Sequence, residues 1–184
     1  MGSRLEGALV GDTGWMEVTV REAEPSDAAR IIAYLQELAE EPDINLPVAP
    51  GEFSMTVEEE EEFIRGHAEA DNMILLVAVA GEQVIGVMNI TGGRRKAMRH
   101  AGKLGISVHR DWRGRGIGTR LLQHALDWAR NTGILTRVQL EVYARNIDAV
   151  KLYERFGFKI EGRHPRAFYQ HGQYLDEISM GLLL

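Results

Sequence analysis

Hydrophobic and polar residues alternate in MEVTVREA, from Met16 to Ala23, and this pattern predicts a β-strand. Apolar residues then recur at helical spacing in PSDAARIIAYLQELAEE, where Pro25 and Ser26 provide a helix-start signal. The next segment, PDINLPVAPGEF, carries three of the five prolines and predicts a loop. The ordered part of the chain is therefore expected to begin with a strand, a helix and a loop.

A second helix is predicted in TVEEEEEFIRGHAEA, where Thr56 stands at the N-cap and Glu59 in the capping-box position. Two apolar runs, NMILLVAVA and QVIGVMNITGG, flank Gly81 and Glu82 and predict a β-hairpin. A third apolar run, AGKLGISV, follows the basic loop RRKAMRH. Three neighbouring strands are therefore expected in the middle of the chain.

The remaining segments continue the alternation of helices and strands. GTRLLQHALDWARNTG has an apolar stripe and ends at Gly133, as a helix does, and RVQLEVY predicts a strand. NIDAVKLYERFGF predicts a short helix capped by Asn146 and ended at Gly157, and two further strands follow around a turn-rich loop. The strand, helix, strand order implies a right-handed parallel crossover. We predict one α/β (α+β) domain whose sheet is antiparallel early and contains a parallel step, with helices on both faces.

Composition narrows the function classes. A net charge of −6 argues against nonspecific nucleic-acid binding, and no apolar run approaches the length of about 20 residues that a membrane span needs. The chain has no cysteine, which excludes disulfides, thiolate metal ligands and a cysteine nucleophile and favours a cytoplasmic location. No histidine pair has a metal-ligand spacing such as H-E-x-x-H, so no metal site is expected. The sequence thus predicts neither a nucleic-acid nor a membrane partner.

The first residues, MGSRLEGALVGDTGW, lack the basic start and the continuous apolar core of a signal peptide. Residues 1–15 are therefore expected to be a disordered leader or an artificial remnant. The folded domain is expected over residues 16–184.

The stretch HRDWRGRGIGTRLL places glycines and arginines between a predicted strand and a predicted helix. Such a turn leaves backbone N–H groups unpaired at the positive end of the helix dipole, which suits a phosphate. The nucleoside-triphosphate loop requires Lys-Ser/Thr after its last glycine, but Gly118 is followed by Thr119 and Arg120. The dinucleotide fingerprint starting at Gly114 would need glycine at Thr119. What remains is R-x-x-G-x-G, which starts at Arg113.

This pattern resembles the pyrophosphate loop of the GNAT superfamily of N-acetyltransferases, which binds acetyl-CoA. NIDAVKLYERFGF also matches the superfamily's N-x-x-A-x-x-x-Y-x-x-x-G-F helix position for position. The likeness covers residues 16–184, and the ending GFKIEGRHPRAFYQHGQYLDEISM looks most like bacterial acetyltransferases of amino acids and of ribosomal-protein N-termini. The resemblance implies a mostly antiparallel sheet of about seven strands that splays into a V, and it makes a homodimer plausible.

The resemblance also implies how acetyl-CoA is held. The backbone of Ile106 and Val108 would bond the pantetheine arm, and Asn146 would bond it from the neighbouring helix. The pyrophosphate would be held by the amides of Arg113, Gly114, Arg115, Gly116, Ile117, Gly118 and Thr119. The basic loop RRKAMRH is a candidate for binding the 3′-phosphate, or else simply the solvated end of a hairpin.

Tyr153 is the candidate acid. On a helix it shares one face with Asn146, about 10 Å away along the axis, so both side chains can touch one elongated ligand. A phenol with a pKa of about 10 can protonate, or hydrogen-bond, the sulfur that leaves when an amine attacks a thioester. The alternative is a core aromatic residue beside Leu152 and Phe156.

The base that deprotonates the amine stays open. Glu141 lies in VQLEVY, a strand expected to be covered on both faces, where an ionised side chain is unusual unless it is paired or functional. Its alternative role is an ion pair with Arg137 or Arg145. The superfamily often places a glutamate on the strand before the phosphate loop, but RHAGKLGISV contains none. His100 or a chain of waters are therefore the other candidates.

In the superfamily, the acceptor site is framed by two segments that correspond here to AEEPDINLPVAPGEF and RHPRAFYQHGQYLDE. We expect transfer of an acetyl group to a primary amine, namely an amino acid, a small amine or a protein N-terminus, by direct attack in a ternary complex. The alternatives are a non-catalytic CoA-binding sensor and a dinucleotide-dependent oxidoreductase. The residues expected to attract the amine or to pack against its body are Glu40, Glu41, Asp43, Phe168, Tyr169 and Tyr174.

Overall fold

The computed structural model describes residues 5–11, 14–42, 44–47 and 51–184. The helices of this part of the chain are α1 (Ala28–Ala39), α2 (Val57–Glu69), α3 (Ile117–Asn131) and α4 (Ile147–Arg155). Its strands are β1 (Leu5–Gly11), β2 (Gly14–Glu22), β3 (Met73–Ala80), β4 (Gln83–Gly92), β5 (Ala101–Val108), β6 (Arg137–Tyr143), β7 (Lys159–Gln170) and β8 (Gln173–Leu183). They form one sheet in the order β1-β2-β3-β4-β5-β6-β8-β7.

The predicted α/β fold is confirmed. Every neighbouring pair of strands is antiparallel except β5 and β6, which supply the predicted parallel step. The two faces of the sheet pack against different helices, because alternate residues of β3 enter two separate cores. Leu76 belongs to the core that includes residues of α3 and α4, whereas Val77 belongs to the core that includes residues of α1 and α2.

The sheet has one strand more than expected, because Leu5–Gly11 pairs with β2. The structure therefore differs from the prediction of a disordered leader over this segment. A physical reason is that the outer edge of β2 carries unpaired backbone groups, and a preceding extended segment satisfies them. The other residues of the predicted leader include 1–4, 12 and 13, which lie outside the described residues.

The predicted helix ends are confirmed where their side chains are described. The backbone N–H of Glu59 donates to Thr56 Oγ1 at 3.2 Å, and the backbone N–H of Thr56 donates to Glu59 Oε2 at 2.8 Å, which completes the capping box. Asn146 caps α4, since its Oδ1 accepts from the Ala149 backbone N–H at 3.3 Å. Among the described residues, no helix has the length and apolar character needed to cross a membrane.

The parallel step is the feature that shapes the site. β5 and β6 pair at only three positions, the last of which joins Lys103 to Gln139. Both strands continue beyond this pair, β5 to Val108 and β6 to Tyr143, each held only by its other neighbour. The sheet therefore opens into a V, as the resemblance implies.

Candidate active site

A cleft of about 840 Å³ occupies the opening between β5 and β6. Its walls come from both faces of the sheet, because Leu38 belongs to the core under α1 whereas Leu152 packs on the core under α3 and α4. The cleft thus passes through the sheet. It brings together the end of α1, the parted segment of β5, the glycine-rich loop and one side of α4.

The glycine-rich loop has the backbone geometry that a phosphate cradle needs. Gly114 and Gly116 have φ values of +74° and +81°, in the left-handed region that side-chain-bearing residues rarely adopt. Gly116 is the N-cap of α3, so the following amides, those of Ile117, Gly118 and Thr119, have no acceptor within the helix. The side chain of Ile117 is buried, so this residue has its backbone to offer to a ligand.

The loop is also fixed against its neighbours. Arg113 donates from Nε to the Val108 carbonyl oxygen at 2.9 Å and from Nη2 to Glu41 Oε2 at 2.6 Å. A Cβ atom on Gly118 would lie 3.3 Å from Leu152 Cδ2, so α3 and α4 approach closely there. Arg115 lies over the ring of Trp112, with its guanidinium carbon 5.4 Å from the ring centre. The cradle is therefore held in shape by contacts to β5, to the loop that follows α1 and to α4.

The expected role of one acidic residue, Glu41, changes with this geometry. Glu41 was expected to attract an amine, but its carboxylate is 7% exposed and is paired with Arg113. Its negative charge is therefore largely compensated before any ligand arrives. Asp43, which was expected to share that role, lies outside the described residues.

The parted segment of β5 presents the backbone that an extended ligand can pair with. Beyond Lys103 the edge of β5 that faces β6 has no strand partner, while the other edge pairs with β4 as far as Val108. Ile106 and Val108 line the cleft and pack on the core of α3 and α4. They therefore lie beside a strand edge with which an extended ligand could pair.

Tyr153 and Asn146 both line the cleft from α4. Tyr153 is 6% exposed, and this burial raises the pKa of its phenol. Within the described residues its hydroxyl makes no hydrogen bond, and its ring contacts Phe158 at a centroid distance of 5.8 Å. Tyr153 is thus both a core aromatic residue and a wall of the cleft. Asn146 uses its oxygen as a helix cap, which leaves its amide nitrogen for a ligand.

Glu141 is placed differently from the prediction, because its face of β6 is open around Gln139 and Glu141 and becomes buried only at Tyr143. Its side chain is 46% exposed, and its Oε2 atom lies 2.5 Å from Lys103 Nζ across the base of the V. The expected arginine partners are engaged elsewhere. Arg137 pairs with Glu161, and Arg145 donates to the loop that follows α1. The neighbouring Leu140 is buried on the helix-covered face, so Glu141 points to the opposite face.

His100 and the basic loop RRKAMRH lie far from the cleft. They precede Ala101 at the start of β5, whereas the cleft is at the end of that strand, about 25 Å away along an extended chain. The alternative in which His100 is the base is therefore wrong. The interpretation of the basic loop as the 3′-phosphate site is wrong for the same reason.

Some contacts at the site could not be predicted from the sequence. The Tyr34 hydroxyl donates to Ser107 Oγ at 2.9 Å, and Ser107 lines the cleft. Burial raises the pKa of the Tyr34 phenol, so this donor stays protonated. His109 is 4% exposed, with Nε2 3.1 Å from Glu37 Oε1. Tyr34 is indistinguishable in sequence from other apolar positions of α1.

The two segments expected to frame the acceptor are in contact. Gln170 donates to the Leu46 carbonyl oxygen at 2.8 Å, and Tyr143 stacks on Phe168 with ring centres 4.3 Å apart. Among the residues that the structure describes, the Tyr143 hydroxyl and Gln170 Oε1 are buried and have no hydrogen-bond partner. Two other predicted residues, Tyr169 and Tyr174, contact each other but are mostly exposed and do not line the cleft.

Metal binding has no support in the geometry of the described residues. Within them, no group of three or more His, Cys, Asp or Glu side chains is arranged to hold an ion.

Comparisons with known proteins give a consistent result. The model of the acetyltransferase (GNAT) family matches residues 33–158. The L-amino acid N-acetyltransferase AaaT of Escherichia coli (strain K12) is 30% identical over 57% of this chain and 65% of that protein. The ribosomal protein bS18-alanine N-acetyltransferase of Salmonella typhimurium is 40% identical over 42% of this chain and 51% of that protein. The chain thus spans about half to two thirds of the length of these two relatives.

Among solved structures, an acetyltransferase of the GNAT family from Streptococcus pneumoniae is 39% identical. It superposes with a TM-score of 0.87, over 91% of this chain and 99% of that one. The expected resemblance, including its amino-acid and ribosomal-protein branch, is therefore confirmed.

Proposed function

Since the chain belongs to the acetyltransferase (GNAT) family, we propose that it is an acetyl-CoA-dependent N-acetyltransferase acting on a primary amine. The observation that carries this proposal is the single cleft that joins a left-handed glycine cradle at a helix N-terminus to an unpaired strand edge. An anion-binding helix end and an exposed strand edge suit the two halves of coenzyme A, its diphosphate and its amide-containing arm.

Each part of coenzyme A has a corresponding group of residues in the cleft. The amides from Arg113 to Thr119 would hold the pyrophosphate, and a side chain at Gly114 or Gly116 would adopt a strained backbone. The amide groups of pantetheine would pair with the edge of β5 at Ile106 and Val108 and with the Asn146 amide nitrogen. Bound acetyl-CoA supplies the acetyl group as an activated thioester.

Tyr153 holds a proton near the site of thiolate release. Its raised pKa keeps the phenol protonated throughout the neutral range. A thiol has a reference pKa of about 8.5, so complete transfer from a phenol above about 10 is uphill by roughly 2 kcal/mol. Tyr153 therefore acts first as a hydrogen-bond donor to the sulfur as negative charge develops. Its single donor and lack of a competing described acceptor suit that role.

Glu141 is the proposed proton acceptor for the incoming ammonium group. It does not itself line the cleft, but it lies on β6 two residues beyond the last pair with β5, on the sheet face that also carries the loop after α1. Its exposure allows it to take the proton directly or through water. Lys103 holds the carboxylate at the base of the V and keeps it in one position.

The lining of the acceptor side favours an amine on a small apolar body. Leu38, Ile44 and Leu46 line this end of the cleft, and the nearby charge of Glu41 is paired with Arg113. A polyamine would need uncompensated carboxylates along its length, whereas an apolar amino acid or an N-terminal residue would bury its side chain here. The name of AaaT as an L-amino acid N-acetyltransferase supports the same substrate class.

A panel of amines tests the proposal. The protein is given acetyl-CoA with L-methionine, L-leucine, L-phenylalanine, spermidine or a short peptide beginning with alanine, and free thiol is followed against the uncatalysed rate. We expect turnover with an apolar amino acid or the peptide at least about 10-fold faster than with spermidine. Tight coenzyme A binding without turnover on any amine would favour the sensor instead. A rise in melting temperature with NAD(H) but not with coenzyme A would favour the oxidoreductase.

A further inference from the structure

The side chains of α4 add charge to the cleft that the backbone cradle does not supply. Three cationic side chains line the cleft, those of Arg113, Lys151 and Arg155. Arg113 is already bound to Glu41 and to the Val108 carbonyl oxygen. Within the described residues, Lys151 and Arg155 form no ion pair and no hydrogen bond, although both face the cleft. They are the cations of this cleft that remain available to a ligand.

Their positions place them at the outer rim of the cradle. Lys151 and Arg155 are four residues apart and so lie on the same side of α4, one turn from each other. Leu152 comes directly after Lys151 and contacts the α3 end at Gly118. Tyr153 is buried, whereas Lys151 and Arg155 are exposed. The two cations are therefore nearer the solvent than Tyr153 is.

The carboxylate that shares this side of α4 is Asp148, three residues before Lys151. Asp148 also lines the cleft, but it belongs to the first turn of α4, beside Asn146. The proposed pantetheine contact is at that end. A phosphate is therefore repelled from the start of α4 and attracted to its second half.

Coenzyme A carries a phosphate on its ribose in addition to the diphosphate that suits the loop amides. We propose that Lys151 and Arg155 bind this 3′-phosphate and thereby make the protein prefer coenzyme A to 3′-dephospho-coenzyme A. The proposal rests on the proposed function only in requiring that coenzyme A occupies the cleft. The site has the right chemistry, because a compact ammonium and a planar guanidinium can both donate to one phosphate dianion.

Calorimetric titration of the whole protein with the two ligands tests the proposal. The variant is the double substitution Lys151→Gln and Arg155→Gln. The matched control, Lys159→Gln with Arg130→Gln, removes two cations that do not line the cleft. We expect the unchanged protein to bind coenzyme A at least about 10-fold tighter than the dephospho form, a modest value because the groups are exposed. The double variant should lose about 10-fold in affinity for coenzyme A and less than about 2-fold for the dephospho form.

The outcomes separate this proposal from the proposed function. Equal losses for both ligands would mean that the cations act on the diphosphate or on the fold, and would overturn it. Equal affinities for the two ligands in the unchanged protein would overturn it as well. Failure of the unchanged protein to bind either ligand would overturn the proposed function itself. The 3′-phosphate proposal would be supported if the preference for coenzyme A over the dephospho form weakens with added salt in the unchanged protein and in the control. The double variant should show no such preference.

Discussion

The two ends of the cleft differ in the chemical groups that line them and in how far apart those groups lie in the sequence. The proposed diphosphate end consists of consecutive residues, from Arg113 to Thr119, and the groups that we propose to bind the diphosphate are backbone amides. The acceptor end is assembled from segments far apart in sequence. Arg145 is bonded to Asn45 across 100 residues and Gln170 to Leu46 across 124. One end is thus specified locally, and the other depends on the whole fold.

This difference has a physical origin. Backbone amides are the same at every residue, so a phosphate cradle needs only the correct dihedral angles, which glycine at a few positions permits. Acceptor recognition instead depends on which side chains line a pocket and on what compensates their charges. Substitutions at the phosphate end should therefore affect donor binding, and substitutions at the acceptor end should affect the amine.

The largest effect is expected from Gly116→Asp. A side chain at this left-handed position is strained, and its carboxylate would enter the phosphate cradle, so the affinity for coenzyme A should fall at least about 100-fold. Calorimetric titration measures the affinity, and circular dichroism checks the fold. Gly133→Asp is the control, because Gly133 is also left-handed, has open space around its Cα and lies outside the cleft. Unchanged affinity in a folded Gly116→Asp protein would refute the placement of the diphosphate.

The same contrast explains what the sequence could predict. The arrangement of β5, loop and α3 was predictable because strand periodicity, the glycine spacing and the helix stripe are all local signals. The cleft position of Tyr153 followed from its spacing to Asn146 on one helix face. These inferences needed no knowledge of which elements pack together.

Charge pairing across the fold was not predictable. The sequence predicts that Glu141 lies in a strand covered on both faces, but in the structure its side chain is 46% exposed and paired with Lys103. Glu41 similarly found its partner, Arg113, in a loop 72 residues away. Both outcomes depend on strand order and helix placement, which residue types alone do not determine.

The next substitution is expected to lower the catalytic rate without changing the affinity for the acetyl donor. In Tyr153→Phe, the hydrogen bond to the leaving sulfur is lost while the buried ring is kept, so kcat should fall about 100-fold. The affinity for coenzyme A should change by less than about 2-fold, because the cradle is untouched. Steady-state kinetics and calorimetry give the two values. Tyr169→Phe, an exposed tyrosine outside the cleft, is the control. A kcat equal to that of the unchanged protein would remove Tyr153 from the mechanism.

A smaller effect is expected from Glu141→Gln. The amide cannot accept the ammonium proton, so kcat/KM for the amine should fall about 10-fold at pH 7, with water replacing the carboxylate in part. Raising the pH supplies more neutral amine, so the deficit should shrink as the pH approaches the amine pKa of about 10. Rates at several pH values check this. Glu161→Gln removes an exposed carboxylate on the neighbouring β7 and is the control. A deficit that is constant with pH would contradict the role of Glu141 as base.

The smallest effect is expected from Arg145→Gln, and it falls on the acceptor alone. Arg145 donates to Asn45 Oδ1 and to the Ile44 carbonyl oxygen, both at 2.9 Å, and these bonds position the loop that lines the acceptor end. Their loss should raise KM for the amine about 3-fold to 5-fold and leave kcat within about 2-fold. Coenzyme A affinity should be unchanged, although Arg145 directly precedes Asn146, the proposed pantetheine contact. Arg163→Gln, a substitution on the outer strand β7, is the control for lost charge. A fall in coenzyme A affinity equal to the rise in KM would show that the two ends of the cleft are coupled rather than independent.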